Sequence, residues 1–214
     1  TSERGKPRGR KEGDTMPRAQ TDVVILDGRR SAETSADPAF KALTDEIASR
    51  GLPCRVFDLR AMPIGACNGC FGCWVKTPGQ CVQDDPAREV ARACARADLV
   101  VLFTPVTFGG YSSELKKAID RSIPNLSPIF IRIRGETHHP CRYASRASLA
   151  ALGVLEQPDE EEQRLFETVV HRNAINFRSP RQATRVVLAA DGPERLRAAA
   201  AGLLGRVMGT GARL

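Results

Sequence analysis

With 214 residues and 42% hydrophobic side chains, the chain can bury a full core, favours a single domain and needs no disulfide staples. It has no continuous apolar run near the roughly 18 to 20 residues that a membrane span requires, so a soluble protein without membrane partners is expected. The formal charge of +7 points less to nucleic acid than it suggests, because Thr1 to Gln20 hold six Arg or Lys against three Asp or Glu.

That first segment lacks apolar periodicity and is rich in Gly, Pro and polar residues, so residues 1–20 are expected to form a disordered basic tail ahead of one domain over 21–214. Met16 offers an alternative start, and a basic arm for nucleic acid is the functional alternative. No nucleic-acid partner is expected. Arg55, Arg60, Arg88, Arg92 and Arg96 are interspersed with acids and read as solvated faces. Seven cysteines is an odd number and four are packed locally, which argues against a secreted disulfide framework. With no secretory signal expected, the location predicted is a reducing cytoplasm.

From Asp22 the chain alternates strand-like and helix-like stretches. Asp22 to Leu26 is a short apolar run closed by Asp27 and Gly28, as a buried parallel strand should be. Phe40, Leu43 and Ile47 recur at helical spacing, with Gly51 as the stop. Arg55 to Leu59 predicts a second strand. A helix from about Pro86 to Ala97 follows, capped by Asp84 or Asp85, and Leu99 to Phe103 is the most apolar run and hence a central strand. A helix is predicted over Ser112 to Ser122, a strand over Ser148 to Leu152, a helix over Glu160 to Arg172, a strand over Arg185 to Ala189, and a last helix through Leu196, Leu203 and Val207. Five strands with intervening helices imply an open α/β sheet covered on both faces. Ligands of such sheets sit beyond the carboxyl ends of the strands, near the switch in strand order.

Two loops fall on that rim. After the second strand come Cys67, Cys70 and Cys73 at three-residue spacing with intervening glycines, and then Cys81 behind the turn Thr77-Pro78-Gly79-Gln80. Such spacing lets the backbone curl round one centre, so that sulfurs converge on a soft metal or an iron-sulfur cluster. After the third strand, Thr104-Pro105 stiffens the chain and Gly109-Gly110 lets the backbone approach a flat ring.

Residues 64 to 85, with the four cysteines, resemble the signature loop of the flavodoxin-like NAD(P)H-dependent FMN reductases, particularly the iron-sulfur flavoprotein branch. Residues 98 to 121 resemble that family's second flavin loop and the helix after it. The resemblance covers Asp22 to Leu126. It implies a doubly wound five-stranded parallel flavodoxin-like sheet of order 2-1-3-4-5, an FMN, NAD(P)H as electron donor, and transfer to a quinone, a flavin, or a metal or redox partner. An electron carrier or partner-binding module without its own small substrate is the alternative.

On that resemblance, FMN is expected along Gly28, Arg29, Arg30, Ser31, Thr34 and Ser35, which would hold its phosphate, and along Thr104, Pro105, Val106, Thr107, Phe108, Gly109, Gly110 and Tyr111, with Phe108 against the ring. Two departures stand out: Thr107 replaces a common Tyr, and Glu33 and Asp37 oppose a phosphate. Three readings of Cys67, Cys70, Cys73 and Cys81 stay open, namely a 4Fe-4S cluster, a structural zinc, or reduced thiols without metal. Cys54, Cys94 and Cys141 read as buried small hydrophobes. His138 and His139 read as backbone-bonded or solvent-facing, with metal binding or proton donation as the functional alternative. Trp74, the one tryptophan, lies in a glycine-bordered loop where exposure would be costly, so a homodimer or homotetramer is expected.

Overall fold

The computed structural model describes residues 21–30, 34–133 and 135–209; the tail expected over 1–20 lies outside them. Five parallel strands form the sheet: β1 (Val23–Asp27), β2 (Cys54–Asp58), β3 (Leu99–Pro105), β6 (Ser148–Leu155) and β7 (Gln182–Leu188). Two short strands, β4 (Ile131–Ile133) and β5 (Glu136–His138), make a separate antiparallel hairpin. The sheet order is β2-β1-β3-β6-β7, the predicted 2-1-3-4-5 once the hairpin is set aside. Val23 lies opposite both Cys54 and Leu99, so β1 and β3 are flanked on both edges.

Burial explains why the central strands were plain in the sequence. Every residue of β1 and β3 is buried, since helices cover both faces. Successive side chains point to opposite sides. Val23, Ile25, Leu99, Val101 and Phe103 pack under α1 (Asp37–Ser49) and α6 (Pro193–Met208). Val24, Leu26, Val100 and Leu102 pack under α3 (Ala87–Arg96), α4 (Ser113–Asp120) and α5 (Glu160–Asn176). α4 is capped by Ser112, whose Oγ accepts from the Leu115 amide at 3.3 Å, and α5 by Asp159, which accepts from Glu162 at 2.8 Å. Asp85 precedes α3 as predicted, accepting from the Ala87 amide at 3.0 Å. Among the described residues no helix is long and apolar enough to cross a membrane.

Three expectations need correction. Cys54 is exposed, because β2 is an edge strand with one buried residue, Phe57; Cys141 is only partly buried. Cys94 is half-buried as a residue, although burial of its thiol pushes it up to about 12. The strand β7 begins at Gln182, three residues before the predicted start, because pairing with β6 holds its polar first turn in register. The hairpin around Gly135 (φ +85°) has no counterpart among the predicted strands, because strands of three residues are too short to leave a period.

Candidate active site at the carboxyl rim of the sheet

The loop after β3 is built as a frame with a projecting tip. Thr104 is fully buried, donating to the Pro105 carbonyl at 2.8 Å and accepting from the Ser112 amide at 3.0 Å. Pro105 and Tyr111 are buried as well, and Asn173 of α5 donates to the Tyr111 hydroxyl at 3.0 Å. Burial raises the Tyr111 phenol to about 12, so it stays neutral. Val106 donates its amide to Val154 of β6 at 2.8 Å. Thr107 and Gly110 exchange two backbone hydrogen bonds of 3.1 and 2.9 Å round a two-residue tip. Both tip residues have positive φ, Phe108 at +49° and Gly109 at +69°, the arrangement of a tight hairpin turn. A glycine suits this; a phenylalanine does not, and Phe108 is also 91% exposed. The amides of Phe108 and Gly109 make no backbone hydrogen bond among the described residues, and the Thr107 hydroxyl oxygen is buried without a partner. An exposed ring, two open amides and an orphan hydroxyl therefore share one turn.

The loop after β1 spends its polar groups internally. The Arg29 guanidinium is only 8% exposed and is clamped by Asp27, with Nη2 to Oδ2 at 2.7 Å and Nε to Oδ1 at 3.0 Å. It also pairs with Asp37 and lies 4.0 Å over the Phe40 ring. Burial acts to lower its pKa, but Asp27 and Asp37 prevail and raise it. Ser35 donates to Glu156 at 2.5 Å, bridging to the end of β6. Gly28 is pinned beneath α4: its amide donates to Phe103 at 2.7 Å and its carbonyl accepts from Ser112 Oγ at 2.5 Å. Arg30 and Thr34 are exposed, while Ser31 lies outside the described residues.

In the cysteine loop, α2 (Gly72–Val75) is a single turn entered through Phe71, which is 50% exposed at φ +51°. Cys67 and Cys70 are exposed, Cys73 is buried and Cys81 is intermediate. All four line one small cavity of about 20 Å³. Burial raises the Cys73 thiol pKa, and the neighbouring Cys81, Cys67 and Cys70 raise it further. Among the described residues no group of three His, Cys, Asp or Glu is placed to hold a metal ion.

Sequence reasoning missed the residue that closes this loop. Arg121, at the end of α4, has a side chain with no exposed surface. It donates to the Gly65 carbonyl at 2.8 Å upstream of the cysteines and, downstream, to Gln83 Oε1 at 2.6 Å and Asp85 at 2.7 and 2.9 Å. One guanidinium thus joins both ends of the cysteine segment. Burial would raise the Asp85 pKa, but Arg121 and the amides of Gly65 and Ala87 hold it below the usual carboxylate range. Nothing local in the sequence marks Arg121, whose partners lie 36 to 56 residues away.

Trp74 does not stand exposed as expected. Its indole donates to the Leu126 carbonyl at 3.1 Å, and its ring packs between Phe71 and His139 at 5.1 and 4.9 Å. His139 continues to Phe130 at 4.7 Å, giving a row of four rings. His138 is neither solvent-facing nor backbone-bonded as expected: it is buried and bonded to the side chains of Glu136 (2.9 Å) and Asn176 (3.2 Å), with Glu136 forked by Arg172, whereas His139 meets the Ile129 carbonyl at 3.0 Å as expected.

A parallel sheet of this order, with its loops meeting at the switch between β1 and β3, defines a flavodoxin-like α/β domain. Solved structures share that fold at low identity. An NAD(P)H:quinone oxidoreductase from Methanothermobacter marburgensis superposes with a TM-score of 0.64 at 16% identity, over 86% of this chain and 96% of the other. An azoreductase from Bacillus anthracis gives 0.62 at 14%, with the same coverages. Residues 21–159 match the family of NADPH-dependent FMN reductases, and the chain belongs to that family. An iron-sulfur flavoprotein of Methanocaldococcus jannaschii is 30% identical over 102 residues, 48% of this chain and 52% of that protein. One from Archaeoglobus fulgidus is 30% identical over 90 residues, 42% and 40% respectively. The chain thus spans about half the length, or less, of these curated relatives.

Proposed function

We propose that the chain is an FMN-dependent oxidoreductase that passes electrons from NAD(P)H to an acceptor such as a quinone, a flavin, or a metal or redox partner. The observation that carries this reading is the tip of the β3 loop, where strained, exposed Phe108 stands beside two open amides and the orphan Thr107 hydroxyl. Those are the groups that a flat heteroaromatic ring with a polar edge would satisfy. FMN, when bound, supplies the hydride and electron chemistry; the protein's residues position it. Phe108 would cover one face of the ring and the Phe108 and Gly109 amides would meet its carbonyl and nitrogen edge, while the frame of Thr104, Pro105, Val106, Gly110 and Tyr111 keeps the tip in place. The phosphate would fall to the β1 loop at Gly28, Thr34 and Ser35, with Ser31, which lies outside the described residues, as the further hydroxyl expected from the sequence. Arg29 is committed to Asp27 and Asp37, so it would reach a phosphate only by giving up those pairs. Titration of the purified protein with FMN should quench flavin fluorescence, and the loaded protein should oxidise NADPH or NADH when a quinone is supplied. Failure of both removes the reading; flavin binding without NAD(P)H oxidation leaves the electron carrier.

The donor chemistry of Cys67, Cys70, Cys73 and Cys81 suits a 4Fe-4S cluster better than zinc. A single zinc needs four sulfurs around one ion at about 2.3 Å, whereas a cluster spreads its thiolates over four irons. The C-x2-C-x2-C run matches the first three ligand positions of a bacterial ferredoxin, whereas zinc sites more often come as two separated C-x2-C knuckles. Anaerobic reconstitution with iron and sulfide, followed by iron analysis of the wild type and of each Cys→Ser variant, decides between cluster and bare thiols. A homodimer or homotetramer is supported by Phe108, Phe71 and Phe130 rather than by Trp74, since these three leave large apolar rings in solvent. Light scattering giving a single-chain mass at micromolar concentration would refute it. A cytoplasmic location follows from the reduced cysteines on this reading.

A further inference from the structure

The guanidinium of Arg121 presents its N–H donors in a fixed planar fork, and its side chain has no exposed surface. Nη1 reaches the Gly65 carbonyl, Gln83 Oε1 and Asp85, and Nη2 reaches Asp85 at 2.9 Å and the Gln83 carbonyl at 3.3 Å. Nε is the exception: it is buried and has no hydrogen-bond partner among the described residues. A buried donor without an acceptor is costly, more so on a charged group. The carboxylate and carbonyls bound to this guanidinium are all taken by Nη1 and Nη2.

Cys81 is the sulfur beside this guanidinium, and both residues line one cleft next to α3. The Cys81 backbone is held there by Arg88, whose Nε donates to its carbonyl at 2.8 Å and whose Nη2 donates to the Val82 carbonyl at 3.1 Å. Two residues on, Gln83 is bound to Arg121 through both its side chain and its carbonyl, so the chain at Cys81 cannot leave the guanidinium without breaking those bonds. Burial acts to lower the Arg121 pKa, but Asp85 and Cys81, through hydrogen bonding and charge, prevail and raise it. A neutral thiol is a weak acceptor, whereas a cysteine sulfur bound to iron carries negative charge and accepts N–H donors. Cys67 and Cys70 are exposed, so Arg121 meets the four-cysteine site from its buried side.

We propose that Arg121 is a positioning residue of the four-cysteine site: Nε donates to the Cys81 sulfur when that sulfur binds iron, and the guanidinium offsets part of the negative charge gathered there. The proposal rests on the cluster reading given above and adds to it the side chain that tunes the site. Hydrogen bonds to sulfur and a nearby positive charge both make a cluster easier to reduce. The guanidinium that ties Gly65 to Asp85 thereby also sets how readily the site takes an electron.

A redox titration of the full chain, reconstituted anaerobically with iron and sulfide and followed by electron paramagnetic resonance and iron analysis, tests it. Arg121→Gln should make the cluster harder to reduce by about tenfold, a fall of about 59 mV in the midpoint of a one-electron couple. Arg121→Lys keeps the charge without the Nε donor and should fall by a smaller amount; it reads the same effect should Arg121→Gln fail to fold. Arg88→Gln removes a like charge at the Cys81 carbonyl rather than at its sulfur, and should shift the midpoint less than Arg121→Gln does. Iron-loaded Arg121 variants with the wild-type midpoint, or lost iron with no shift in the cluster that remains, would mean that Arg121 only ties the loop, and overturn the proposal alone. An equal shift in Arg88→Gln overturns it too, because any nearby charge would then serve. Wild type that takes up no iron overturns the cluster reading and this proposal with it.

Discussion

The ends of β1 and β3 lie side by side at the rim, yet they handle polarity in opposite ways. At β1 the charges are folded inward: Asp27, 1% exposed, and Asp37 consume Arg29. At β3 the buried hydroxyls of Thr104 and Ser112 build the frame, while the tip holds an aromatic ring in solvent at a backbone angle it disfavours. One end pairs its charges internally, the other bears strain and open groups. On the proposed reading, the contrast means that a flavin here would be held mainly by its ring, with the phosphate loop contributing less than its arginines suggest.

The largest effect should come from breaking the neutral end. Arg29→Ala leaves Asp27 charged in the core and should destabilise the fold by about 3 to 5 kcal/mol, read as a fall in the denaturant midpoint. If stability barely changes, the charge is not sequestered and Arg29 is available to a phosphate. Next, Gly28→Ala tests the junction of the two ends: its new methyl would stand 2.7 Å from Leu115 Cβ and 3.0 Å from the Phe103 carbonyl. Overpacking of this kind costs about 1 to 3 kcal/mol, measured by thermal melting.

The strained end should respond in the other direction. Phe108→Gly relieves the left-handed backbone and should stabilise the protein by about 1 kcal/mol, while FMN affinity drops roughly tenfold. Equal loss of both would mean that Phe108 serves packing rather than a ligand. Thr107→Val removes the orphan hydroxyl and should leave stability within about 0.5 kcal/mol but weaken FMN by a few-fold, through one lost hydrogen bond. A smaller effect appears in acid. The folded-state pKa of Asp85 is depressed, so its contribution is complete above the ordinary carboxylate value of 3.8 and is lost as pH falls below it. Asp85→Asn should flatten the stability profile in that window, read from denaturant midpoints across the acid range.

Much of this architecture was legible because burial leaves simple patterns. Val23 to Leu26 and Leu99 to Phe103 are apolar throughout since both faces are covered, and the cysteines of the β2 loop are spaced too regularly to be incidental. Individual exposures and long-range partners were less legible. Cys54 lies one residue ahead of the predicted second strand, and although the predicted order already put that strand at the edge, a lone cysteine there still reads as a small hydrophobe. Arg121 acts across 36 to 56 residues, so no local pattern reveals its role. The fate of Arg29 was partly readable: acids at Asp27 and Asp37, two residues before and eight after, mark it as a pairing partner as much as a phosphate ligand.

The row of rings from Phe71 through Trp74 and His139 to Phe130 makes the molecule its own optical gauge. Trp74 is the sole tryptophan, seated in the cysteine loop and tethered to the Leu126 carbonyl. Its emission therefore reports one place alone. Any event that loosens Cys73 or shifts the hairpin at His139 must alter the polarity and contacts of that indole, so the state of the cysteine loop can be followed in real time without a label.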